Sequence, residues 1–369
     1  MKNTTRIILG LVCIAICVVL FLAFPTYSKK PEAYGGSMHV LELDETGGEN
    51  TLVKRIARAQ FRIMNADTYD FPKETIAYYV EKLGAFETIA LLSEVTDGLC
   101  HYASHAIGEI TYEKTKSVAT AEKLCGDVCY SGCIHGAVIG ALKEAGVELF
   151  DNNEISFFEL ADYAKKVCES EITGACFHAV GHTLFSYVYP NIEEPLEACA
   201  HYENKGIQHY CATGVFMEVA EQGDMVTGDP RNMYPCDNAG IFSAACYRYK
   251  VESLAEDLGG VHDVSELKNI CNSLEGSARR GCYNGLGKFF IPTIRDNMPF
   301  INEVCSSDHS EDEHICVQGA IEMDAYYDEE RALRICEVLT TEELKETCRA
   351  SAQAENKHFN MEKSFEPYF

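Results

Sequence analysis

The spacing of the cysteines constrains this chain more than any other feature of its sequence. Two of the 18 cysteines lie in an apolar N-terminal stretch, and fourteen of the other sixteen form close couples from residue 125 onward. The partners of a couple have 7 to 11 residues between them, and successive couples begin 31 to 43 residues apart. A period near 35 residues is typical of repeats built from two helices. The couples are Cys125 and Cys133, Cys168 and Cys176, Cys199 and Cys211, Cys236 and Cys246, Cys271 and Cys282, Cys305 and Cys316, and Cys336 and Cys348.

The residues around the couples indicate a helix on each side. The first cysteine ends an amphipathic run such as "FFELADYAKKVC", and the second opens another, such as "CATGVFMEVA", with Gly a few residues on. Apolar residues at i, i+3 and i+4 predict helices in both places. We expect each disulfide to join the end of helix A to the start of helix B, and each glycine to let helix B approach its neighbours. The predicted fold is all-α: tandem disulfide-stapled helical hairpins that form a solenoid or partial ring, preceded by a transmembrane helix.

This layout resembles the secreted, cysteine-rich relatives of Sel1-like and tetratricopeptide repeats. The resemblance covers about residues 100–355 and consists of the repeat period and the cysteine placement, whereas the consensus residues of Sel1 units are mostly absent. Repeats of that kind are chiefly binding scaffolds. The resemblance therefore implies a peptide or protein partner as an alternative function, and it implies no activity.

Two cysteines, Cys100 and Cys129, have no place in the couples, and their presence leaves two arrangements open. They can pair with each other as an extra bridge beside the regular Cys125–Cys133 staple. Alternatively, the sulfurs of these two cysteines and of Cys125 and Cys133 can act as thiolates that hold a structural zinc with a neighbouring histidine. An oxidising compartment favours the bridges, which leave no thiol of the ectodomain free to act as a nucleophile.

The N-terminal residues predict a membrane anchor. Residues 7–24 form an unbroken apolar run, near the minimum that spans a bilayer as a helix, and "PTYSKK" follows. We expect an uncleaved anchor with the bulk of the chain extracytoplasmic; a cleaved signal peptide, which would make the protein secreted, is the alternative. The predicted organisation is an anchor (1–25), a tether (26–50), a helical N-terminal cap (51–98), stapled repeats (99–357) and a C-terminal tail (358–369).

The charge balance limits the classes of partner. The formal net charge is −26, from 57 acidic and 31 basic residues. Such a balance opposes nucleic-acid binding, which requires clustered Lys and Arg. The expected partners are the lipid bilayer, through the N-terminal helix, and a peptide or protein at the outer membrane face.

Five histidines fall at the starts of three successive B helices. In "LCHYASHAIGE" and "ACFHAVGHTLF" two histidines stand four residues apart, which places both imidazoles on one helix face. A fifth histidine, His135, stands two residues after Cys133, as His178 stands two residues after Cys176. Later B helices carry other residues two positions after their cysteine. The five are His101, His105, His135, His178 and His182.

This pattern predicts a metal-binding protein in which the five imidazoles are ligands. Glu109, one turn beyond His105, and Glu218, on the fourth B helix with Glu221 nearby, are weaker candidates. Imidazole with a carboxylate suits a divalent zinc or copper ion best, and iron next. The sequence shows no methionine near the histidines, which argues against Cu(I), and it does not decide whether a reaction is catalysed. A metal site requires imidazole nitrogens that converge on one point, whereas a scaffold requires only an open groove.

Overall fold

The structure is a computed structural model that describes residues 48–67, 72–95, 100–126, 129, 132–144, 157–169, 174–259, 263–353 and 368. The predicted anchor, most of the tether and nearly all of the C-terminal tail lie outside the described residues. Of the helices that are described, none is long and apolar enough to cross a membrane.

The described residues form helices and contain no strand, as the sequence predicted. Three short 3-10 helices cover Cys236–Asn238, Gly240–Phe242 and Met298–Phe300. The α-helices are α1 (Gly48–Asp67), α2 (Lys73–Leu83), α3 (Ala85–Ser93), α4 (Cys100–Thr115), α5 (Val118–Cys125), α6 (Gly132–Glu144), α7 (Phe157–Glu169), α8 (Gly174–Val188), α9 (Glu193–Ala200), α10 (Lys205–Glu221), α11 (Ser243–Asp257), α12 (Val264–Asn272), α13 (Gly276–Phe289), α14 (Ile291–Asp296), α15 (Ile301–Cys305), α16 (Ser310–Tyr327), α17 (Glu329–Glu337) and α18 (Glu342–Ala352).

The B helices pack side by side in chain order. The row runs α4, α6, α8, α10, α11, α13, α16 and α18, and each helix contacts the next. Each A helix (α5, α7, α9, α12, α15 and α17) packs on the B helix that follows it. The hairpin of Cys236 and Cys246 differs from the prediction, because its A element is the 3-10 helix Cys236–Asn238. The preceding "GDPRNMYP" contains two prolines and a glycine, which do not support a longer helix.

Eight disulfides join the sixteen cysteines outside the apolar N-terminal stretch. The seven couples pair as predicted, with Cα atoms 5.3 to 5.9 Å apart. These bridges join Cys125 to Cys133, Cys168 to Cys176, Cys199 to Cys211, Cys236 to Cys246, Cys271 to Cys282, Cys305 to Cys316, and Cys336 to Cys348.

The eighth bridge decides between the two arrangements that the sequence left open. Cys100 pairs with Cys129 as the extra bridge, so these sulfurs do not form the alternative thiolate zinc site. Disulfides form and persist in oxidising environments. The pairing therefore indicates an extracellular or secreted setting for the described residues.

Glycines bring neighbouring B helices into backbone contact. A Cβ atom at Gly136 on α6 would lie 1.8 Å from the carbonyl oxygen of His105 on α4. A Cβ atom at Gly214 on α10 would lie 1.9 Å from the carbonyl oxygen of His178 on α8. Both glycines stand three residues after the second cysteine of a couple. The close approach that the sequence predicted therefore occurs beside the histidines.

The segment before the first staple packs onto the first B helix. Helices α1, α2 and α3 share an apolar core with α4, in which Phe61, Ile76, Ile89 and Ile107 are fully buried. A second connected apolar cluster extends from α6 through α18. A group of helices packed on α4 in this way covers the first of the stacked B helices, as the predicted cap would.

Candidate metal centre

The five predicted histidines come together at the starts of α4, α6 and α8. Within α4, the Nε2 atoms of His101 and His105 lie 3.2 Å apart. Nδ1 of His135 on α6 lies 3.2 Å from the same Nε2 atom of His101. Within α8, the Nε2 atoms of His178 and His182 are also 3.2 Å apart.

The groups on α4 and α8 meet through His135. Its ring centroid is 4.2 Å from that of His182 and 5.4 Å from that of His178. The rings of His101 and His182 are 5.8 Å apart. His101, His135 and His182 each offer a nitrogen within 4.8 Å of the other two. The imidazoles therefore form one cluster, which we call the histidine cluster.

The histidine cluster is buried. His101, His135, His178 and His182 are at most 3% exposed, and His105 is partly exposed. Helix α4 touches α6 through glycines, and α8 touches α10 in the same way. Buried imidazoles need partners for both ring nitrogens.

Helix α10 adds two carboxylates to the histidine cluster. Glu218, a predicted candidate, places Oε2 2.6 Å from Nδ1 of His182, and its other oxygen accepts a hydrogen bond from Gln222. Oε2 of Glu221 lies 3.8 Å from Nε2 of His101. Ligand atoms of His182, Glu218 and Glu221 also lie within 4.8 Å of one another. Four successive B helices thus face one interior region.

Three of the histidines have their Nδ1 atoms beside fixed acceptors. Nδ1 of His101 donates to the carbonyl oxygen of Cys129 at 3.1 Å. Nδ1 of His182 donates to Glu218. These bonds fix the tautomer, because a neutral imidazole with its proton on Nδ1 keeps a lone pair on Nε2.

His178 is fixed in the same tautomer through a hydroxyl. Its Nδ1 lies 2.9 Å from Oγ1 of Thr213, and that hydroxyl donates its own hydrogen to the carbonyl oxygen of Tyr210 at 2.6 Å. Thr213 therefore accepts the Nδ1 hydrogen of His178. As a result, the Nε2 atoms of His178 and His182 face each other at 3.2 Å with a lone pair on each.

Two facing lone pairs at this distance repel unless a cation lies between them. A proton would satisfy that one pair of nitrogens, whereas a metal ion can be shared by several imidazoles. Nε2 of His135 also lacks a partner, since this nitrogen is buried and forms no hydrogen bond among the described residues. A bound cation would satisfy it as well. The donor set is thus arranged for a positive ion.

The acid–base properties of the cluster agree with this arrangement. Burial lowers the pKa of His105 to about 4. Burial and the neighbouring imidazoles lower the pKa of His135 well below its ordinary value. Burial has the largest single effect on the pKa of Glu218 and acts to raise it, but the hydrogen bonds from His182 and Gln222 and the neighbouring imidazoles together outweigh burial and lower that pKa. Near pH 7, His105 and His135 are neutral and Glu218 is ionised, which are the forms that bind metals.

Glu109 does not join the histidine cluster. Its Oε1 atom accepts hydrogen bonds from Lys73 on α2 and Lys143 on α6, both at 2.9 Å. The two ammonium groups lower the pKa of Glu109 against the opposing effect of burial. The spacing of four from His105 placed this carboxylate on the expected helix face, but the lysines of neighbouring helices engage it.

Met217 is a residue that the sequence reasoning missed. Its sulfur lies 3.3 Å from Nε2 of His178, so the expectation that no methionine is near the histidines was wrong. The signal was present in the repeat: Met217 follows Thr213 by four residues, as His182 follows His178. A thioether at that place adds a soft ligand to the imidazoles.

The comparisons with known proteins identify no relative. No protein-family model, no curated protein and no solved structure matches this chain. The resemblance to Sel1-like repeats stays a prediction about architecture, and the chemistry of the histidine cluster has to be argued from its own geometry.

Proposed function

We propose that this protein is an extracytoplasmic metal-binding protein whose ion is held by the histidine cluster. His101, His135 and His182 are its central ligands. His105 and His178 complete the imidazole shell, and Glu221 supplies a carboxylate. In this proposal the apolar segment at residues 7–24 holds the stack of stapled hairpins at the outer face of a membrane.

One observation carries the proposal: the Nε2 atoms of His178 and His182 face each other at 3.2 Å while Glu218 and Thr213 occupy their Nδ1 hydrogens. Two nitrogens bound to one tetrahedral zinc at about 2.0–2.1 Å are separated by roughly 3.3–3.4 Å. The observed separations resemble those of ligands that surround an ion. The hydrogen bond from His182 to Glu218 is the carboxylate–histidine arrangement that orients metal-bound imidazoles.

Zinc and copper are the ions that this donor set suits best. Neutral imidazoles with a carboxylate accept either ion. The sulfur of Met217, beside His178, favours copper at that end of the cluster, because thioethers stabilise Cu(I). Bound copper would add redox chemistry to the site, and bound zinc would polarise a water or carbonyl.

The test is elemental analysis of the full chain, exported with oxidative folding and purified in detergent without a histidine tag. We expect about one or two equivalents of copper or zinc, lost in the double variant His101→Ala/His178→Ala. The control variant, His201→Ala, removes an exposed histidine outside the cluster and should retain the metal. A folded, metal-free native protein that also fails to take up either ion from solution would overturn the proposal and favour the scaffold alternative.

The identity of the ion is tested separately. If copper is bound, oxidised protein gives an electron paramagnetic resonance signal with nitrogen hyperfine splitting. Met217→Leu keeps the volume but removes the sulfur, so it should weaken Cu(I) binding while leaving zinc binding unchanged. An equal Cu(I) affinity in that variant would exclude the sulfur as a ligand.

A further inference from the structure

The helix after the histidine cluster carries a buried arginine with unused donors. Arg248 on α11 stands two residues after Cys246, the offset at which α6 and α8 carry His135 and His178. It is 4% exposed, and its Nη1 donates to Oδ1 of Asn284 on α13. Its Nε and Nη2 atoms are buried and have no hydrogen-bond partner within the described parts of the chain. Leaving charged donors unsatisfied in this way is costly for a folded protein.

A second cation lies close to this guanidinium. The ammonium of Lys288 on α13 sits 4.3 Å from the ring centroid of Tyr249, which adjoins Arg248 on α11. Burial lowers the pKa of Lys288, and the positive charge of Arg248 lowers it further, whereas Glu252 and Glu221 act in the opposite direction. Across the described residues, neither Arg248 nor Lys288 forms an ion pair with a carboxylate.

The side chain that accepts a hydrogen bond from Arg248 is neutral, and the carboxylates that act on Lys288, those of Glu221 and Glu252, do so without a direct ion pair to it among the described residues. Oδ1 of Asn284 accepts the hydrogen bond from Nη1 of Arg248. Nδ2 of Asn284 donates to the hydroxyl of Tyr368 at 3.2 Å. That hydroxyl donates in turn to Oε1 of Gln318 on α16 at 3.1 Å. Burial raises the pKa of Tyr249 to about 12 although Arg248 favours its ionised form, so the phenol keeps its proton near pH 7. None of these groups therefore neutralises the positive charge through a direct ion pair.

We propose that Arg248 and Lys288 form a binding site for the oxyanion group of a small ligand, a carboxylate or a phosphate. The planar guanidinium presents Nε and Nη2 side by side, and this pair of donors can form two parallel hydrogen bonds to two oxygens of such a group. Lys288 adds a point charge from the neighbouring helix.

The site adjoins the proposed metal centre. Glu221, whose carboxylate is 3.8 Å from Nε2 of His101, also acts electrostatically on Lys288 and on Tyr249. One turn beyond Arg248, Glu252 is exposed, and Glu221 and Lys288 are partly exposed, so this side of the site lies near the protein surface. A ligand held by its oxyanion at Arg248 would present its other end toward the histidine cluster. The orientation of the ligand toward the histidine cluster rests on the proposed function, whereas the anion site itself does not.

The experiment is isothermal titration of the full chain, at low ionic strength, with inorganic phosphate in one arm and malonate in the other. Each arm is run on metal-free and metal-loaded protein. We expect one anion per chain, and the arm with the tighter binding identifies phosphate or carboxylate as the ligand group. Arg248→Gln should weaken binding roughly tenfold to a hundredfold, the usual effect of losing a charged hydrogen-bond pair. Lys288→Gln should weaken it less, and Arg231→Gln, a change at a surface residue, should not alter it.

A second readout separates a binding role from a structural one. Arg248→Met removes the unsatisfied donors, so it should raise the unfolding midpoint without anion while abolishing binding; a structural arginine would lower the midpoint. No binding in either arm, or equal affinities in the native protein and in Arg248→Gln, would overturn the inference. If Arg248→Gln does not fold, an unchanged affinity in Lys288→Gln has the same meaning. Anion binding to metal-free protein supports the site even if the metal proposal fails, because metal content is measured independently.

Discussion

The imidazole of His105 makes the metal-free protein acid-sensitive. Burial lowers its pKa from 6.5 to about 4 in the folded state. In the unfolded chain the pKa is about 6.5. As the pH falls below 6.5 the unfolded chain takes up the proton first, so this contribution to stability is complete above that pH and is lost toward pH 4. Between pH 7 and pH 5 the free energy of unfolding should fall by about 2 kcal/mol from His105 alone.

The assay is urea unfolding of metal-free protein with intact disulfides at pH 7 and pH 5, followed by circular dichroism. His105→Gln keeps a polar side chain without a titrating proton, so its loss of stability should be about 2 kcal/mol smaller than that of the native protein. His201→Gln alters an exposed histidine and should reproduce the native loss. Equal losses in the native protein and in His105→Gln would refute the reasoning, since His105 would then titrate alike in both states.

Three further changes have expected outcomes. Gly136→Ala should lower the free energy of unfolding by about 2 kcal/mol or more in urea titrations, because its Cβ would overlap a carbonyl oxygen of α4; Gly140→Ala, whose nearest neighbour is a tyrosine side chain, should cost under about 1 kcal/mol. The double variant with Cys199→Ala and Cys211→Ala should lose about 2–4 kcal/mol in the same assay, and an unchanged midpoint would show that this staple is dispensable. Glu218→Gln should weaken metal affinity about 10–100-fold in a chelator competition without unfolding the protein; full affinity would exclude the orienting role.

The hairpins could be predicted because their signals are local. A couple such as Cys168 and Cys176 specifies its own pairing, and the glycine after a second cysteine, as at Gly214, marks a close helix contact. The 3-10 element before Cys246 was not predicted, because the cysteine period was taken to imply a helix where prolines prevent one.

The histidine cluster was predictable in membership but not in geometry. The repeat offset identifies the five histidines, while their approach to Glu221 depends on how four helices pack together. Glu109 was misplaced for the same reason, since the lysines that engage it lie on other helices. Met217 acquires a role only through its contact with His178, 39 residues away.

The disulfides have a consequence for how the stack comes apart. Seven of the eight bridges among the described cysteines close a hairpin onto itself, and none joins α6 to α8 or α8 to α10. They protect each repeat without fastening it to the next one, so the repeats can open one at a time, as in other linear arrays. Cys100–Cys129 ties α4 to the hairpin that contains α6, and an ion shared by the histidine cluster would fasten both to α8, which no sulfur does. Metal loading should therefore turn a broad, stepwise melt into a single sharp one and so set the size of the cooperative unit.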